Sequence, residues 1–317
     1  MPISPNERKE YQTFTARIIE RLGSINFDPE MTVWHYTHGA GLLGVLQSGQ
    51  IFATQVACLN DSTETLYAQR LYKAALGQAG KGYIGNPIVK ALFDHFEEEF
   101  KDDSTTAASS PSKFFVACFT EKKDDLSQWR AYSEVGGENG YAIGFRVRGL
   151  FGLTVNRLVV RVNYDSDLHS TAAKDVAEAT IRFYLKGLED DASRTPIEWA
   201  KEFFAEWDEH IYRLAPMIKD SGFRDEAEVR IVHELYTNEM NQVQIRQKRS
   251  LLARYVALSF APQTWVGKPG PKLPVVGIVI GPSRHPAVSR VSVGTLLHQL
   301  GYENVPVEIS SCPLQSP

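Results

Sequence analysis

The chain has 317 residues, 43% of them hydrophobic and 23% charged, with a formal net charge of −4. That length and balance describe a globular chain able to bury a proper core, and the mild acidity argues against a general attraction to nucleic acid or anionic lipid. Three widely spaced cysteines without a CxxC pair support neither a disulfide framework nor a zinc ribbon, and no stretch approaches the roughly 18 apolar residues of a membrane span.

The N-terminus carries charges throughout and no apolar h-region, which reads as a cytoplasmic protein. Residues from Pro5 to Leu22 place apolar side chains at helical spacing and predict a lead-in helix. Met31 to Tyr36 alternates like a strand. Gly39 to Ser48 follows as a short helix, with Gly49 at the position where helices commonly stop. Ile51 to Thr54 is a second strand. Asn60-Asp61-Ser62-Thr63-Glu64 is a helix start, because Asp61 or Ser62 can accept from the free N–H groups. Helix continues to about Leu76 and again from Ile88 to Phe100. Lys101 to Ser112 has no apolar period and reads as a loop.

Phe114 to Phe119 is an apolar run suited to a buried strand, followed by strands at Tyr141 to Val147 and Leu158 to Tyr164. From Ala172 to Met217 the pattern is helical and rich in aromatic residues, which read as helix-packing side chains rather than a cofactor box. Strands return at Ala227 to His233, Tyr255 to Phe260, Val275 to Ile280 and Val305 to Ser310. A helix starting near Ser283 runs from about Pro286 to Leu300. The expectation is an α+β fold with a central mixed or antiparallel sheet. Its lead-in covers 1–30, and one domain over 31–313 carries a helical insertion at about 172–217.

Three polar-aromatic clusters sit beside strand-like runs: Trp34-His35-Tyr36-Thr37, Leu126 to Tyr132, and Asp225 to Arg230. A neutral His35 can bond a ribose hydroxyl or a carbonyl beside a stacking ring, although it can equally be a satisfied strand residue. His35 and His38 lack carboxylate or thiol neighbours, so no metal is expected there. In the second cluster Ser127, Trp129, Arg130 and Tyr132 precede the glycine-rich turn 136–140, which lets backbone approach a ligand or simply joins two elements. Glu226 and Glu228, one residue apart, point to the same side of a strand at about 7 Å. The alternative is a solvated strand edge with Arg230 as ion partner.

Read together, these segments resemble the bacterial family called domain of unknown function 2971. The residues that carry the resemblance are His35-Tyr36-Thr37, Leu59 to Glu64, Cys118-Phe119-Thr120, Leu126 to Tyr132, Gly140 to Phe145, Glu226 to Arg230, Ile278 to Pro282, and Gly301-Tyr302. The family name implies no chemistry.

In the order of its parts the chain is also similar to mono-ADP-ribosyltransferases. That resemblance implies an NAD-cleaving enzyme with NAD as substrate and no metal. Glu228, Glu226 and His35 would be its catalytic residues, and His35, Tyr36, Thr37, Ser127, Trp129, Arg130 and Tyr132 would hold NAD. It further implies an unknown macromolecular acceptor, in the setting of a toxin or phage-defence effector. The family's usual strand-borne Ser-Thr-Ser is not evident here. The alternative expectation is a non-catalytic sensor that binds a nucleotide or partner. A third is a magnesium-dependent nucleic-acid enzyme using Asp61, Glu64, Glu226 and Glu228.

Overall fold

In the computed structural model the described residues are 3–22, 28–59, 63–99, 113–132, 140–150, 157–248, 251–260 and 273–313. The helix cap expected at 60–62, the polar loop at 101–112 and the turn residues 136–139 lie outside them. In chain order the elements are α1 (Pro5–Arg21), β1 (Thr32–His38), α2 (Gly39–Ser48), β2 (Gln50–Gln55), α3 (Thr63–Gly80), α4 (Pro87–Glu99), β3 (Phe114–Thr120), α5 (Leu126–Tyr132), β4 (Gly140–Arg146), β5 (Arg157–Arg161), α6 (Ser166–Asp190), α7 (Pro196–Leu214), β6 (Glu228–Glu234), β7 (Gln244–Lys248), β8 (Leu251–Ser259), β9 (Val275–Ile280), α8 (Pro286–Gln299) and β10 (Val307–Ile309). The fold is α+β, as the alternation of strand and helix signals implies.

Contacts divide the chain into two compact units. One is helical and is assembled from Met1–Ser24, Val56–Phe114 and Val162–Arg224; the other comprises Ile25–Gln55, Phe115–Arg161 and Asp225–Pro317. In the helical unit α1 starts at a capping box, where Ser4 and Glu7 satisfy each other's free backbone N–H groups. The aromatic-rich stretch is two helices. Between them the Thr195 hydroxyl accepts from the Glu198 N–H and donates to the Glu198 carboxylate, and Pro196 sits in the first helical turn, where its missing N–H costs nothing. Their aromatic residues pack as a core: Tyr11 of α1 lies 4.9 Å from Phe183 and 5.3 Å from Trp207, and Phe203 stacks on Trp207.

The second unit holds the sheet. Among the described residues ten strands run in the order β10-β9-β4-β1-β3-β2-β8-β7, with β6 beside β3 and β5 beside β6. The sheet is mixed, since β10 joins β9 in parallel whereas β1–β4, β4–β9, β2–β8 and β5–β6 are antiparallel. One side carries the main core: Val33, Phe119, Ile143, Phe145, Val229 and Ile231 pack with Leu42 and Leu46 of α2 and Val293 and Leu297 of α8. A smaller cluster gathers Trp34, Tyr36, Ala142 and Val279 against Trp129 of α5. Two glycines make room for its indoles. A Cβ on Gly144 would come within 2.8 Å of Trp34, and one on Gly281 within 2.8 Å of Trp129. No helix among the described residues is long and apolar enough to cross a membrane.

Candidate functional site

Alternation along β1 sends Trp34 and Tyr36 one way and Val33 the other, so two aromatic rings rise from the strand on the side of the smaller cluster. The phenol of Tyr36 donates to the Lys122 carbonyl at 3.1 Å and accepts from the Asp125 N–H at 3.0 Å, which pins the loop after β3. Burial raises the Tyr36 pKa well above its ordinary value, so it remains a phenol. Asp125 then caps α5 by accepting from the backbone N–H groups of Ser127 and Gln128. The start so defined places Gln128 and Tyr132 one turn apart on the same side of the helix.

On the other flank β6 begins at Glu228. The expected strand geometry for Glu226 and Glu228 is not what forms. Glu226 ends a 3₁₀ turn over Ser221–Glu226, and Ala227 between them has φ +44°, a left-handed backbone that side chains other than glycine rarely adopt. The kink is held from β3: the Thr120 hydroxyl donates to the Glu226 carbonyl at 2.7 Å, and the Glu121 N–H donates to the Ala227 carbonyl at 3.1 Å. Both residues still line one place. A pocket of about 270 Å³, its open mouth included, is lined by Trp34, Tyr36, Cys118, Phe119, Thr120, Gln128, Tyr132, Glu226 and Glu228. Glu228, with its side chain 9% exposed, accepts from Arg230 Nη2 at 2.6 Å; Arg230 is 1% exposed. This buried pair fixes the orientation of the Glu228 carboxylate and balances part of its charge.

The structure thus brings Tyr36, Tyr132, Glu226 and Glu228 together, and it places the other expected site residues elsewhere. His35 does not line the pocket. β3 pairs with β1 through Trp34 and Thr120 and with β2 through Thr54 and Val116, and between those points the Cys118 carbonyl is bonded by His35 Nδ1 at 2.8 Å. A carbonyl only accepts, so Nδ1 carries the proton. Burial lowers the pKa of this imidazole, and the ring is neutral. His35 therefore satisfies the backbone where β3 changes neighbours. Thr37 is buried under α2, where a Cβ on Gly41 would overlap its hydroxyl. The Ser127 hydroxyl donates to the Asp125 carboxylate as part of the helix cap. Trp129 is buried, with its indole N–H donating to Asp124 at 2.7 Å and its ring edge-on to Tyr36 at 4.5 Å. Arg130 is exposed on the outer side of α5.

Sequence reasoning did not list Trp34, Cys118, Phe119, Thr120 or Gln128 as site residues. Two signals were available: the same-side spacing of Trp34 and Tyr36, and an Asp-x-Ser-Gln start at 125–128 that orients Gln128 with Tyr132. Among the described residues no group of three or more His, Cys, Asp or Glu converges as metal ligands. Asp61 lies outside those residues, as does the side chain of Glu64.

No curated protein and no solved structure matches the chain. Residues 128–231 match the family model described as Protein of unknown function (DUF2971), a segment that runs from Gln128 through Glu226, Glu228 and Arg230, and over it the family resemblance read from the scattered motifs holds.

Proposed function

We propose that this protein breaks the nicotinamide–ribose bond of NAD, as an ADP-ribosyltransferase-like or NAD-hydrolysing enzyme. The observation that carries the reading is the convergence of Tyr36, Tyr132, Glu226 and Glu228 on one pocket. The nicotinamide of NAD is a flat cationic ring, and aromatic walls beside carboxylates suit such a group. When the C1′–N1 bond breaks, its electron pair leaves with nicotinamide and positive charge develops on the ribose. Glu228, oriented by Arg230, stabilises that charge. Glu226 takes the proton released as water or an acceptor nucleophile adds to C1′. The pocket is open at its mouth, and in this reading the ring end of NAD approaches there while the remainder lies outside. His35 has no part in this scheme. The acceptor is a macromolecule reached in the cytoplasm, in keeping with a toxin or phage-defence effector.

A second reading, a binding module without turnover, is favoured by the Arg230 pairing that neutralises part of the Glu228 charge. Purified protein incubated with NAD, with and without cell lysate, separates the two. The first reading expects nicotinamide release by wild type and at least a hundredfold loss in Glu228→Gln. NAD binding with no release under either condition would replace it with the second.

A further inference from the structure

Gln128 stands apart from the other polar groups of the pocket. It is 9% exposed, lines the cavity, and uses its backbone N–H for the Asp125 cap. Yet among the described residues no group hydrogen-bonds its side-chain carboxamide. The neighbouring hydroxyls have partners: Thr120 is held between the Glu226 carbonyl and the Lys122 N–H, and Tyr36 between Lys122 and Asp125. The residue is largely buried while its amide is open to the pocket, so water or a ligand there completes its hydrogen bonds.

We infer that Gln128 is the specificity-determining group of the pocket and that it pairs with a planar primary amide on the ligand ring. A carboxamide offers an N–H donor and a C=O acceptor on one edge, and a second primary amide answers both at once. Gln128 and Tyr132 project from the same side of α5, so the helix presents the amide reader and an aromatic wall together. A carboxylate in place of the ligand's amide would face Glu226 and Glu228 and be repelled. The amide preference follows from the pocket alone; the identity of the ring as nicotinamide rests on the NAD reading.

The test compares two uncharged rings of the same shape: nicotinamide, and 3-acetylpyridine, which keeps the carbonyl and lacks the N–H donors. Dissociation constants come from ligand-observed NMR titration of wild type and of Gln128→Met, a substitution of similar volume that suits a helix. Wild type is expected to bind nicotinamide about tenfold more tightly than 3-acetylpyridine. In Gln128→Met the two should bind within about twofold of each other, both weakly. Equal binding of the two rings by wild type overturns the inference without recourse to any variant, as does binding of neither. A preference that survives in Gln128→Met also overturns it. Amide-selective binding without nicotinamide release from NAD would sink the enzymatic reading while leaving the assignment of Gln128 intact.

Discussion

Ala227 carries a backbone that its side chain resists. For an L-residue the left-handed region costs roughly 1–2 kcal/mol, and glycine escapes that cost while losing some entropy on folding. The bonds from Thr120 and Glu121 to the carbonyls on either side of the Ala227 nitrogen and α-carbon hold the kink in place. Ala227→Gly should therefore raise unfolding stability by about 0.5–1 kcal/mol in a urea titration. It should also loosen the placement of both carboxylates, so that nicotinamide release falls while stability rises. A glycine variant less stable than wild type would show that the kink is not strained. The paired glutamates were legible in the sequence, but the kink between them was not, because alanine, unlike glycine, gives no sign of a positive φ.

At the scale of elements, α5 is held at both flanks of its first turn. Burial alone would raise the Asp124 pKa, yet hydrogen bonds from Ser310, Trp129 and Ser311 outweigh it and hold the carboxyl at about 2, below its ordinary 3.8. A depressed carboxylate stabilises the fold above its unfolded pKa, and that contribution disappears as pH falls through the folded one. Wild type should thus lose melting temperature between about pH 4 and pH 2, and Asp124→Asn should start lower and fall less over the same interval. Parallel pH profiles for the two proteins would exclude Asp124 as the source. Long periodic or apolar elements such as α1, β3 and β9 were readable because burial dictates their pattern, whereas α8, with only Val293 and Leu297 buried, was marked by Pro286 in its first turn. The short polar strand β7 was not, since Gln-Ile-Arg-Gln-Lys becomes a strand only by pairing with β8. The roles of Ser127 and Trp129 were hidden for a related reason: a hydroxyl or indole near a pocket looks the same in sequence whether it meets a ligand or Asp124 and Asp125.

At the scale of the molecule, the helical unit is discontinuous in sequence. α6 and α7 reach their core only with Tyr11 from α1 and Tyr72 from α3, whose hydroxyl bonds Thr180 at 2.9 Å. A fragment of residues 162–224 should consequently show weak helical circular dichroism and no cooperative melt, because isolated helices that lack their apolar partners are marginal in water. A fragment that melts cooperatively would show that α6 and α7 need neither α1 nor α3.

The strand order of the sheet has a consequence for the time course of folding. Ile51 pairs with Leu258, and Ala142 with Val279, so β2 and β4 leave the ribosome long before the strands that complete them. β4 can pair with β1 and β2 with β3 before then, but the edge of β2 that takes β8 and the edge of β4 that takes β9 stay open, and the cost of joining such distant segments must be met before their pairing rewards it. This protein should accordingly fold late and slowly, and its yield during synthesis should depend on chaperones that shield the early strands.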